Sequence, residues 1–207
     1  MKIVNNLGFA VPDILIPQKG TDLKKWAVIA CDQYTSEPEY WENCEKEAGD
    51  APSTLNLVLP EVYLNTAKET EKLESIAKTA RKYLDEGILE SLGTGFILTD
   101  RATELHPSRK GLMTAIDLET YEWKPFSKAL IRATEATIVD RIPPRMEIRR
   151  GAAVESPHIM LLVNDPDCAV VEKTGELAKK NANIMILQLL KANAAGKFFY
   201  LLLIINI

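Results

Sequence analysis

Residues 26–41 read WAVIACDQYTSEPEYW. The apolar run at 26–30, bounded by Lys25 and by the polar CDQYTS, predicts a buried strand that leads through a loop into a helix. Ser36 offers an N-cap hydroxyl, Glu37 and Glu39 an acidic first turn, and Pro38 a preset φ, all of which favour a helix start. Gly49 marks its expected end. A strand, loop and helix in this order predict an α/β (α+β) fold with a mixed sheet and flanking helices.

The flanking sequence extends the pattern. LNLVLP (residues 55–60) is a second strand candidate after the turn-like DAPS. Between residues 62 and 86, Leu73, Ile76, Ala77, Ala80, Tyr83 and Leu84 recur at threes and fours, the spacing of an amphipathic helix that Gly87 would stop. GFILTD (95–100) and GLMTAIDLE (111–119) read as strands joined in a hairpin through RATELHPSRK, where Pro107 and Ser108 suit a turn. ALIRATEATIV (129–139) continues the β-rich run. PHIMLLVND (157–165) reads as a buried strand with a continuous apolar centre.

Composition bounds the function. The 207 residues are 46% hydrophobic and 26% charged, the balance of a folded chain with one main core. A net charge of −4 gives no global attraction to phosphate backbones, and the basic segment lacks interleaved aromatics, so no nucleic acid partner is expected. Cys31, Cys44 and Cys168 are few and widely spaced, which suits a reducing cytoplasm and neither a disulfide framework nor a zinc site. The N-terminus, with Pro12, Asp13 and Pro17, does not read as a signal peptide. The apolar end, 198–207, is about half of the ~20 residues a spanning helix needs, so no membrane partner is expected.

One segment stands out by charge. Residues 128–150 carry Lys128, Arg132, Arg141, Arg145, Arg149 and Arg150 against Glu135, Asp140 and Glu147, a local surplus of +3. Guanidinium forks match carboxylate or phosphate oxygens in pairs, so an anionic small molecule is the expected ligand. Strand alternation would point Arg132 and Thr134 to one face, with Glu135 and Asp140 as candidate base or metal ligand. Against this, Arg141, Arg145 and Arg149 are spaced by four and would equally form the solvated stripe of a short helix, paired with Glu147 or Asp140. Pro143 and Pro144 count against a long helix and favour a fixed turn.

Other candidates have plain alternatives. Asp32 and Thr35 follow a predicted strand, where α/β proteins gather ligand residues, but a helix-capping loop explains them too. Cys31 would need a base to act as a nucleophile, and the sequence puts neither His106 nor His158 beside it, so a buried structural thiol is expected. Two distant histidines make no metal pair. GTGF (93–96) lacks the Lys-Ser/Thr of a P-loop.

FAVPDILIP, WAVIACDQYTSEPEYW, DAPSTLNLVLPEVYL, RATEATIVDRIPPRMEIR and SPHIMLLVNDPD, in that order, resemble the bacterial and archaeal family catalogued as domain of unknown function 1015. The similarity runs from about Phe9 to Asp167. Its matching polar positions are Asp32, Arg132, Thr134, Glu135, Thr137, Asp140, Arg141 and Arg145. Family members often carry glycine where this chain has Ala136, which would matter if that position needs positive φ. They are also longer, so residues 1–167 are expected to be the N-terminal part of an incomplete α/β domain. Residues 168–207, rich in Ile, Leu, Asn and Lys, do not match the family's continuation and read as an atypical tail, either frameshifted or a genuine terminal strand.

The family is distantly similar to ParB and sulfiredoxin-type domains, some of which hydrolyse nucleotides or phosphorylate a free amino acid, a fold-level analogy. The resemblance and the +3 segment together imply an enzyme acting on a phosphorylated small molecule, with ATP or ADP and Mg²⁺ as cofactors. Arg132, Arg141 and Arg145 would hold phosphate, Thr134 and Thr137 would add hydrogen bonds, and Glu135 or Asp140 would serve as base or magnesium ligand. A regulatory module that binds an anionic metabolite or acidic partner is the alternative. A non-functional fragment of a longer protein is a third.

Overall fold

The computed structural model describes residues 2–4, 8–102, 105–156, 158–181, 187–193 and 196–206, with side chains for 8–101, 105–156 and 158–177. Thr103 and Glu104 of the expected hairpin loop and Pro157 of the expected strand lie outside these residues. In chain order the elements are β1 (Lys2–Val4), β2 (Phe9–Val11), β3 (Asp13–Pro17), α1 (Leu23–Trp26), α2 (Pro38–Ala48) and α3 (Ala67–Asp85). There follow β4 (Leu89–Ala102), β5 (Arg109–Met113), β6 (Ala115–Ile116), β7 (Tyr121–Glu122), β8 (Ile131–Arg132), α4 (Ile142–Gly151), α5 (Val171–Asn181), β9 (Leu187–Asn193) and β10 (Gly196–Asn206). Helices and sheets are mixed, as expected for an α/β chain.

Two compact units form, one from residues 1–16, 91–136 and 162–207, the other from 17–90 and 137–161. In the first, β4 and β5 make the expected antiparallel hairpin, Ile97 opposite Met113 and Arg101 opposite Arg109. A second sheet runs in the order β1-β2-β6, and the strand order β3-β4-β10-β9 takes in both strands of the C-terminal stretch. Ile14 and Ile16 on β3 are buried with Leu92 and Ile97 packed against them.

The second unit is helical. Trp41, Ala48, Leu55, Leu59, Tyr63, Ile76 and Ile148 form its core, drawn from α2, the 3₁₀ turns Thr54–Leu57 and Glu61–Tyr63, α3 and α4. The 62–86 periodicity is realised as α3, which buries Ile76, Ala80 and Tyr83. Gly87 follows at φ +68°, where a side chain would be strained.

Several expected elements take other forms. Residues 26–30 are not a strand: Trp26 closes α1, which Asp22 caps through the Lys24 N–H, and residues 27–30 carry no sheet pairing. The Trp26 carbonyl instead accepts from Ser53 Oγ at 3.3 Å and Thr54 Oγ1 at 2.7 Å, while Val28 and Ile29 pack on the core. The next helix starts at Pro38 with Glu37, not Ser36, at its N-cap. Residues 55–60, apart from the half-buried Asn56, are buried but begin in a 3₁₀ turn, because Ser53 Oγ accepts the Leu55 N–H. Of residues 129–139 only Ile131–Arg132 is a strand, parallel to β7. Residues 158–165 are not a strand: Ile159, Met160, Leu161, Leu162 and Val163 are all exposed. Pro143 and Pro144 open a ten-residue helix, α4, rather than breaking one, since a first-turn proline gives up no intrahelical hydrogen bond.

Candidate functional site

The expected site residues divide between the two units. Arg132, Thr134 and Glu135 belong to the first, and Asp32, Thr137, Asp140, Arg141 and Arg145 to the second. Arg132 ends β8 with its side chain exposed, and the strand stops there, so alternation does not carry on to Thr134. Thr134, Glu135, Thr137 and Asp140 lie exposed outside regular strands and helices or, for Asp140, in the 3₁₀ turn Val139–Arg141. Ala136 is not among the residues with positive φ, so its backbone has no need of glycine.

Arg141 and Arg145 sit one turn apart at the start of α4 and converge on a residue the sequence did not single out. Arg141 Nη1 is 3.0 Å from Glu61 Oε2, and Arg145 Nη2 is 2.6 Å from Glu61 Oε1. The Glu61 side chain is only 6% exposed, whereas the arginines are 40% and 48% exposed. Glu61 Oε2 lacks hydrogen-bond geometry to any partner among the described residues, so Arg141 compensates it by charge rather than by a directed bond. Ile148, further along α4, enters the core, and a Cβ on Gly151 would come within 2.9 Å of Ala77 Cβ. One face of α4 therefore packs on the unit while its first turn carries the arginines.

Two more cations of the segment are paired. Arg149 meets Glu155 at 2.6 Å and Arg150 meets Glu147 at 2.7 Å. The four-residue stripe exists, but Asp140 is not a partner, and Glu147 serves Arg150 alone among the described pairs. Glu61 and Glu155, from outside the segment, bring its surplus from +3 to +1.

A second remote stretch reaches the same place. The Glu61 N–H donates to the Cys31 carbonyl at 2.8 Å. Burial pushes the Cys31 thiol up, Asp32 and Glu61 push the same way, and Arg145 opposes them. Asp32 and Arg145 thus both bear on the charge of one thiol, though they stand far apart in the sequence. A raised thiol is a poor nucleophile at neutral pH, in keeping with a structural Cys31. Among the described residues, no three His, Cys, Asp or Glu side chains converge to hold a metal.

A cleft of about 260 Å³ opens elsewhere in this unit, between α2, the Thr54–Leu57 turn and α3. It contains none of the arginines, so concavity and cationic charge do not coincide. For an anion the charge decides, because the pair of guanidinium forks supplies directed donors that the cleft does not match. Sequence reasoning missed both Glu61 and this cleft. Glu61 lies in LPEVYL, and Lys68 and Lys72 lie four apart on α3, but none of these sits in a motif with its own chemistry.

The fold and the arginine–carboxylate cluster define an α/β protein with a pinned pair of guanidinium groups. The family described as "Protein of unknown function (DUF1015)" matches residues 15–191, and the chain belongs to that family. The match runs beyond Asp167, into the stretch that the sequence reading sets apart. No curated protein and no solved structure matches the chain. No helix among the described residues is long and apolar enough to cross a membrane.

Proposed function

We propose that the chain binds an anionic small molecule, foremost a phosphate ester, on Arg141 and Arg145, with Asp32 and Cys31 at the edge of the site. The observation that carries this reading is the shared, buried Glu61 carboxylate. It accepts one N–H of Arg145 at 2.6 Å and faces Arg141 Nη1 at 3.0 Å as an ion pair, and each guanidinium has five donors in a fixed fork. Most of the donors therefore remain for a ligand, and the side chains are oriented before it arrives.

In the enzymatic form of the proposal the ligand is ATP, ADP or another phosphorylated metabolite with Mg²⁺, and the reaction is phosphoryl transfer or hydrolysis. Asp140, directly before Arg141, is the base or magnesium ligand. One carboxylate plus ligand phosphates suffices for magnesium, which keeps several waters. Glu135, Arg132 and Thr134 belong to the other compact unit and are not needed. A cytoplasmic location is part of the reading, supported by the free thiols of Cys31, Cys44 and Cys168.

A regulatory module is the second reading. It is favoured by Arg141, Arg145 and Arg149, spaced by four from the N-cap of α4 onward, a stripe suited to a carboxylate-bearing partner.

Thermal-shift titration with ATP, ADP, GTP and inorganic phosphate, with and without Mg²⁺, tests the proposal. At least one probe should raise the melting temperature of the unaltered chain, and Arg145→Gln should abolish that rise whatever it does to the unliganded midpoint. If no probe gives an arginine-dependent rise, the reading fails.

A further inference from the structure

The cleft of the helical unit has a charge pattern unlike that of the arginine pair. Its floor is Ala48 and Leu55, both buried, and Gly49 leaves its wall open, since a Cβ there would meet nothing closer than Lys46 O at 4.0 Å. Lys72, 17% exposed, holds Glu45 at 2.7 Å, and Lys68 approaches the same carboxylate at 3.6 Å. Both ammonium groups stand over the Tyr63 ring, 4.6 and 5.5 Å from its centroid, so that aromatic face is already covered. Asn56 spends its Nδ2 on the Tyr83 hydroxyl at 3.3 Å. Glu71 adds an exposed carboxylate at the rim.

Two lysines against Glu45 and Glu71 leave no net charge. A lone anion or cation therefore meets as much repulsion as attraction. The lining nevertheless carries both donors and acceptors: each ammonium has three N–H groups, each carboxylate oxygen two lone pairs, and the Asn56 carbonyl is one more acceptor. The volume lies just below the range for drug-sized ligands. Hydroxyl groups are the functional groups that donate and accept at once without charge.

We infer that this cleft is a binding site for a small, uncharged, polyhydroxylated molecule of monosaccharide or polyol size. Lys68, Lys72, Glu45, Glu71 and Asn56 bond its hydroxyls. The site is separate from the anion site proposed above and does not depend on it.

Ligand-observed saturation-transfer NMR on the full chain tests this, with ribose, glucose and glycerol as probes and acetate and phosphate as charged controls. At least one uncharged probe should receive saturation. Lys68→Gln and Glu71→Gln, both on the accessible rim, should each weaken it about tenfold, the loss expected for one charge-assisted hydrogen bond. Arg145→Gln should leave it unchanged. Three results overturn the inference: no transfer to any uncharged probe, transfer that is the same in both rim variants, or stronger binding of the charged controls. Circular dichroism of each variant separates lost binding from lost folding.

Discussion

A carboxylate that is 6% exposed has lost most of its solvent, and nearby cations must offset that loss. Arg145→Ala removes the shorter of the two contacts on Glu61, and Arg141 alone then faces an oxygen to which it makes no directed bond. We expect a loss of about 1–3 kcal/mol in chemical denaturation, and a smaller loss for Arg145→Lys. Glu45 behaves differently because its partners are lysines on α3. Burial pushes its carboxyl up, but the hydrogen bond and charge of Lys72, with Lys68, outweigh this and hold it below the usual carboxylate range. A depressed folded-state value means that the stabilisation is present above the ordinary carboxylate pKa and is lost as pH falls through the folded one. Melting temperature should therefore fall more steeply on acidification in the unaltered chain than in Glu45→Gln. Equal slopes would remove Glu45 from the account. At this scale the clustering of Arg141 and Arg145 was legible from residue type and spacing alone. Glu61 was not, since it is 84 residues from Arg145 and nothing local distinguishes it from a surface glutamate.

Elements were legible where periodicity alone decides them. The threes and fours of α3 admit only a helix, and the polar break between two apolar runs admits the β4–β5 hairpin. Short apolar runs were read as strands and proved otherwise, because burial of a run does not say what buries it. At residues 55–60 the deciding residue is Ser53. It is fully buried, its Oγ accepts the Leu55 N–H at 3.2 Å and donates to the Trp26 carbonyl at 3.3 Å, and its backbone N–H donates to the Tyr83 hydroxyl at 2.9 Å. Ser53→Ala leaves the Leu55 N–H without its cap, while the Trp26 carbonyl keeps Thr54 Oγ1, and we expect a cost of about 1–2 kcal/mol by denaturant titration. Were the cost negligible, the cap would not be what selects the turn over a strand.

Across the whole molecule, apolar exposure is uneven. Apart from Tyr34 and Leu105, every exposed large hydrophobic residue among those described falls between Leu118 and Leu177. The run at 159–163 is the densest part, and Leu162 is 77% exposed. Leu162→Lys should change stability by less than about 0.5 kcal/mol, as for an open surface position. It should also lower light scattering during storage, by placing a charge inside an apolar, β-prone window. A large loss of stability instead would mean that Leu162 is buried in solution. Division of the chain into two units was not legible, because each unit is assembled from separated segments and no glycine- or serine-rich linker marks a joint.

That discontinuous assembly constrains the order in which the protein can fold as it is made. Ile148 closes the core around Trp41, Leu55 and Ile76, so those side chains leave the ribosome long before their last partner does. At about 5–20 residues per second, the delay lasts several seconds. Throughout it, the nascent helical unit presents an uncovered apolar surface to solvent, and a holding chaperone has its natural point of action in that interval.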